Sequence, residues 1–356
     1  MKNGKIRGWR GQSPDSSWMP AGQLYSRLAV LPLAEGEAPR LWQALRRQIA
    51  EAWATCGAFE WMALAYLCAL SVLIVVFAQN LAHPWRLLGT QAGLAALVLT
   101  LCRVQARSAA RADVEAVSFS YRWWHFWRHW YPHLFFLFCF EELAHLMTLF
   151  TPNWQDAKLI GFDYWLTGVH PSIWLEQFAT PARNEFMQLV YLSYFTYLLI
   201  LGGILYVRRE WHGYWSVMTY SMVGYMIGYI IAIFFPVESP WFAMAGSWHA
   251  PLAGGPVMAT VNFIEHLGRV RGAAFPSEHV AGATAALWGA WKFRRRLFWV
   301  LVPVFLCMCF STVWGRYHYV ADVFAGMITG SLGYLMGSWI MRRQGAVKTA
   351  PATGTL

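Results

Sequence analysis

The stretch Phe275-Pro276-Ser277-Glu278-His279-Val280 decides how this chain is read, together with Gly315-Arg316-Tyr317-His318-Tyr319-Val320-Ala321-Asp322. In each, a loop runs into an apolar helix. The two helices between them carry the chain away from one face of the molecule and back. Whatever the packing, two histidines, a serine, an arginine and an aspartate then share that face.

The composition identifies the surrounding medium. Of 356 residues, 57% are hydrophobic and only 13% charged, with a mean hydropathy of +0.35. A soluble domain carries about a quarter charged residues, so the balance indicates a membrane protein. Aromatic residues reach 17%, and Trp and Tyr collect where an apolar bilayer meets its polar rim. The six cysteines (Cys56, Cys68, Cys102, Cys139, Cys307, Cys309) form no CxxC pair and fall mostly in apolar runs. They read as small buried residues rather than a disulfide framework or zinc site. No cleavable signal peptide is expected, because residues 1–57 contain no apolar h-region.

A spanning helix needs about 20 mostly apolar residues. Candidates run over 61–79, 87–104, 131–150, 187–206, 215–235, 279–292, 297–314 and 319–341, which predicts an all-α polytopic bundle of about eight transmembrane helices. The sixth is short and rich in Ala and Gly. The basic residues support keeping it: with the N-terminus inside, 22 of the 28 Lys and Arg residues fall on the inner side, as the positive-inside rule requires. Omitting the sixth helix would reverse the last two and spoil that asymmetry. Both termini are therefore expected in the cytoplasm and the two motifs on the outer face, as in a bacterial inner membrane. The formal net charge of +10 is then an orientation signal. Clusters such as Lys292/Arg294/Arg295/Arg296 suit anionic lipid headgroups, not nucleic acid.

The segments follow from this layout. Residues 1–57 read as a cytoplasmic arm, with a candidate interfacial helix near Leu41–Ala54. Residues 58–104 hold two transmembrane helices. Residues 105–130, with Trp123, Trp124, Trp127 and Trp130 interleaved with Arg122, His125, Arg128 and His129, read as an interfacial stretch. Residues 131–341 form the main helical core, and 342–356 a cytoplasmic tail. The loops 151–185 and 236–278 are long enough to be functional. Glu141, Glu142 and His145 lie in the third span, where ionisable groups are costly; they either line a cleft or pair within the bundle. Tyr191, Tyr194 and Tyr197 read as residues that pack or line the bundle rather than catalyse, and Gly224 and Gly228 as close-contact positions.

The chemistry lies in the two motifs. Helix N-termini bind phosphate through unpaired N–H groups and a partial positive charge. Ser277 suits an N-cap position. His318 and Asp322 are four apart and share a helical face. A carboxylate there holds one imidazole nitrogen protonated and leaves the other as nucleophile or base. Arg316 can clamp phosphate oxygens, and Arg269 and Arg271 stand close by in sequence.

On Pro276-Ser277-Glu278-His279, and on Ser311-Thr312 with His318 and Asp322 in register, residues 131–341 resemble the type-2 phosphatidic acid phosphatase superfamily. The resemblance implies a six-helix core with the first two helices added to it. It implies His318 as the nucleophile that forms a phosphohistidine, oriented by Asp322. His279 would protonate the leaving alkoxide and then deprotonate the acceptor. Ser277 would bind phosphate, with Arg316, Arg271 and Arg269 as candidate clamps. No cofactor or metal is implied, and the substrate would be a lipid phosphate drawn from the membrane. Three departures stand out: Glu278 replaces the usual glycine, Thr312 replaces an arginine, and the first motif is absent, with Phe235-Pro236-Val237-Glu238-Ser239-Pro240-Trp241 in its place. These departures look like the branch of inositol phosphorylceramide and sphingomyelin synthases, where HYxxD matches His318, Tyr319 and Asp322. That branch transfers a phospho-headgroup between lipids, so water need not be the acceptor and an alcohol such as inositol can take its place. Two rival readings remain: a metal hydrolase built on His279, His318 and Asp322, and a transporter keeping a degenerate site. The oligomeric state is not legible.

Overall fold

A computed structural model describes residues 55–112, 119–147, 149–249, 251–268 and 270–349. The expected interfacial helix near Leu41–Ala54, Arg269 and the tail beyond Thr349 lie outside them. The elements are helical throughout: α1 (Ala58–Val76), a short 3-10 turn, α2 (Pro84–Ala112), α3 (Phe119–Leu143), α4 (Asp156–Thr167), α5 (Pro171–Glu176), α6 (Pro181–Leu192), α7 (Tyr194–Val207), α8 (Trp211–Phe234), α9 (Pro240–Ala243), α10 (Pro256–Gly268), α11 (Glu278–Phe293), α12 (Arg295–Trp314) and α13 (Val320–Thr349). No strand occurs among the described residues; one isolated bridge joins Val237 to Ala273.

Six segments are long and apolar enough to cross a membrane: Ala58–Val76, Pro84–Arg107, Pro181–Val207, Trp211–Phe234, Arg295–Trp314 and Val320–Gln344. They correspond to six of the eight expected spans. The other two expected spans are also helices. α3 begins at Phe119, so part of the expected interfacial stretch is helical and continuous with the span. It ends at Leu143, not near residue 150. Glu141 and His145 therefore do not share a helical face; both are exposed, and His145 lies in the turn beyond the helix. α11 has only 16 residues, and most of them are buried. A short helix of Ala and Gly suits a position enclosed by protein: α11 packs against α7, α8, α12 and α13. Large apolar side chains such as Val75, Leu306 and Ile328 face outward, where lipid would cover them.

The chain divides into two units, one of Gly57–Ala96 with His129–Leu356, the other containing Leu97–Arg128. In the smaller unit Phe119 stacks on Trp123, which meets Trp127 edge-on. In the larger unit α13 approaches α11 closely at Gly326 and Gly330, where a Cβ would run into the carbonyls of Ser277 and Ala281. This small-xxx-small spacing brings the two motif-bearing helices together. At the far end of α11, a cleft of about 610 Å³ is lined by Arg208, Arg294, Arg295 and Arg296, at the end where the basic residues were expected to gather.

Candidate active site

The two motif loops are tied by their backbones. Ser277 N–H donates to the Asp322 carbonyl at 3.0 Å, and Ser277 caps α11 by accepting the Val280 N–H at 3.4 Å. On the other loop, the Thr312 carbonyl accepts the N–H groups of both Tyr317 and His318 as α12 ends. The turn is completed by Arg316, which takes a left-handed φ of 65°, a conformation common just beyond helix C-termini but usually left to glycine.

These constraints bring the two histidines together. His279 Nδ1 is 3.1 Å from His318 Nε2. The other nitrogen of His318, Nδ1, faces the Ala274 carbonyl at 2.9 Å and Asp322 Oδ2 at 3.3 Å. Both partners accept, so Nδ1 carries the proton and Nε2 presents its lone pair. Asp322 is fully buried and also accepts the Tyr319 N–H at 2.8 Å. Burial pushes the His318 imidazolium down to about 4, against the raising effect of the Ala274 carbonyl. The ring is therefore neutral near neutrality, the form that can act as a nucleophile.

Acidic residues from the long loops hold this assembly, and no motif marks them. Asp163 accepts the N–H groups of Val320 and Ala321 at 2.8 and 3.0 Å, capping α13 from α4. Asp156 accepts the N–H groups of Glu238 and Ser239 and the Tyr319 hydroxyl. Glu185 accepts three N–H groups where α10 begins, those of Gly255, Val257 and Met258. All three serve as helix or loop caps supplied from elsewhere in the chain. The only sequence signal was acidic residues scattered through otherwise apolar loops.

The expected phosphate-clamp residues are dispersed. Arg316 is buried; its guanidinium lies 3.6 Å from Glu176 and 4.0 Å from the centroid of Trp248. Burial lowers its ionisation, and Glu176 opposes that effect. Arg271 Nε donates to Glu238, and its guanidinium lies over Trp154 and Phe242. Thr312, in the place of an arginine, donates its hydroxyl to the Cys309 carbonyl. Glu278, in the place of a glycine, sets its carboxyl against Gly228, where even a methyl group would overlap it. Both Glu278 oxygens are buried, with no hydrogen-bond partner among the described residues.

Glu142 is resolved as a paired residue, accepting from Gln91 at 2.6 Å and Thr90 at 3.3 Å. Tyr191, read from sequence as packing or lining the bundle, reaches the site: its hydroxyl is 3.3 Å from His279 Nε2 and donates to Glu265 at 2.8 Å. Among the described residues, no group of three or more His, Cys, Asp or Glu side chains is arranged to hold a metal ion.

A family model described as the PAP2 superfamily matches residues 157–336, half of the chain. No curated protein and no solved structure matches it.

Proposed function

The chain belongs to the PAP2 superfamily, and from that premise we propose that it is a phosphatase or phosphotransferase acting on a lipid phosphate through a phosphohistidine on His318. The observation that carries this reading is the 3.1 Å approach of His279 Nδ1 to His318 Nε2, with the far nitrogen of His318 held by Ala274 and Asp322. A nucleophile, its orienting carboxylate and an acid/base meet at one point.

In the first step His318 Nε2 attacks phosphorus. The P–N bond forms, the P–O bond to the leaving group breaks, and His279 gives its proton to the leaving oxygen. In the second step water or an alcohol attacks phosphorus. His279 takes the acceptor's proton, the P–N bond breaks, and its electron pair returns to Nε2. Because the two rings are in contact, a phosphoryl group must part them on binding. The N–H groups at the start of α11 and the Ser277 hydroxyl favour an anion there. Arg316 and Arg271 would supply positive charge once a phosphate competes with Glu176 and Glu238 for them.

The acceptor distinguishes hydrolysis from transfer, and the departures at Glu278 and Thr312 favour headgroup transfer to an alcohol such as inositol. The site would face the outside of a bacterial inner membrane. Purified protein in lipid nanodiscs, given a labelled phospholipid with and without inositol, tests the acceptor. Label released as inorganic phosphate from a lipid phosphate, or as the phosphorylated headgroup from a phosphodiester, indicates hydrolysis, and labelled inositol phosphate or an inositol phospholipid indicates transfer. His318→Ala should abolish either product while leaving the protein folded; retained turnover in that variant overturns the reading.

A further inference from the structure

His279 is surrounded by groups from several elements. His318 meets it from the loop before α13 at 3.1 Å. Tyr191 of α6 reaches its Nε2 at 3.3 Å. Tyr194 of α7 meets its ring edge-on, 4.3 Å between centroids, and Phe140 of α3 lies at 6.4 Å. Behind Tyr191 stands Glu265 of α10, which accepts the tyrosine's proton at 2.8 Å. Tyr191 is itself fixed by stacking on Tyr317 at 4.3 Å, whose hydroxyl donates to Gln188. A continuous row results: Asp322, His318, His279, Tyr191, Glu265.

The proton inventory of this row is informative. It ends in acceptors at both sides, the Ala274 carbonyl with Asp322 at one and Glu265 at the other. With His318 Nδ1–H directed to its acceptors, His318 Nε2 has only a lone pair. With Tyr191 donating to Glu265, its oxygen accepts from His279 Nε2–H. In the form that acts as an acid, His279 also carries a proton on Nδ1, and that proton bridges the 3.1 Å contact to His318 Nε2.

We infer that Glu265 is a positioning residue for His279, acting through Tyr191 to hold its ring and keep a proton on Nδ1, the nitrogen facing His318. The inference rests on the reaction proposed above. When Nδ1 gives its proton to the leaving oxygen, Nε2–H stays on Tyr191. When the acceptor's proton arrives at Nδ1, the Glu265 carboxylate stabilises the imidazolium formed.

The test is a ¹⁵N-histidine NMR titration of the full chain in nanodiscs, with the His279 signal assigned by its loss in His279→Gln, alongside turnover against pH. Wild type is compared with Glu265→Gln, Glu265→Asp and Tyr191→Phe, each checked for an unchanged melting temperature. Removing a carboxylate that stabilises an imidazolium should lower the His279 midpoint by about one pH unit in Glu265→Gln and Tyr191→Phe. The alkaline limb of the rate profile should move the same way, kcat should fall about tenfold or more with KM little changed, and Glu265→Asp should recover part of both. Equal His279 midpoints in wild type, Glu265→Gln and Tyr191→Phe overturn the row, even if the enzyme is active. A shifted midpoint in a protein without turnover supports the row and counts against the reaction instead.

Discussion

Arg316 and Glu176 form an ion pair at 3.6 Å with both side chains almost withdrawn from solvent. The pair joins the loop that carries His318 to the end of α5, and Trp248 covers the guanidinium face. A planar, delocalised cation suits this place; an ammonium would lose the stacking.

Breaking a buried pair by removing one partner costs about 3–5 kcal/mol. Glu176→Gln should therefore lower the melting temperature. Arg316→Lys should also destabilise, though it keeps the charge. A thermal scan of the two variants in the same nanodiscs checks this. An unchanged melting temperature in both would mean that the pair is incidental.

Glu278 and Gly228 should behave as a coupled pair. A side chain at residue 228 meets the Glu278 carboxyl, and overpacking a core costs roughly 1–3 kcal/mol. Gly228→Ala alone should destabilise the protein, and the cost should shrink once Glu278→Gly has made room. Two single variants and the double variant measure the coupling. Additive effects would show that the carboxyl moves aside freely.

How much of this was legible in the sequence follows from the range of each interaction. The helical bundle was legible because spans are written in runs of apolar residues, and the basic residues kept α11 in the count although it is only 16 residues long. The meeting of His279 with His318, and of His318 with Asp322, was legible because both motifs begin helices at one end of the bundle. The end of α3 at Leu143 was not: residues 144–150 are mostly apolar, and no glycine or proline among them marks the stop. Nor were Asp163, Asp156 and Glu265. Each acts on a partner 74 to 163 residues away, and a lone carboxylate has no periodicity. Tyr191 was read as packing or lining the bundle because a tyrosine on an apolar helix looks the same whether its hydroxyl meets lipid or a histidine.

Stability should fall with acid in a window set by His318. In an unfolded chain this imidazole takes up a proton near 6.5, in the folded protein only near 4. Between those values the unfolded state binds more protons, so stability is full above the upper value and is lost as pH falls toward the lower one. The group's share is about 3 kcal/mol. Melting temperatures from neutral pH down to about 4 should therefore fall more steeply for wild type than for His318→Gln, which cannot take up the proton. Parallel curves would mean that this imidazole is not held neutral by the fold.

The last prediction concerns Asp163, which touches neither histidine. Its carboxylate accepts two N–H groups where α13 begins, and α13 carries Asp322 one residue further on. Replacing a capping acceptor costs about 1 kcal/mol, so Asp163→Ala should lower the melting temperature modestly. The effect on turnover should be larger than that loss implies. Without the cap the first turn of α13 is free to fray, and the Asp322 carboxylate loses the fixed position from which it meets His318 Nδ1. A small misplacement of catalytic groups costs far more in rate than in stability. Asp163→Asn, which keeps one acceptor oxygen, should fall between wild type and Asp163→Ala in both respects. Turnover unchanged in Asp163→Ala, with the expected drop in melting temperature, would show that the cap supports the helix without aligning the site.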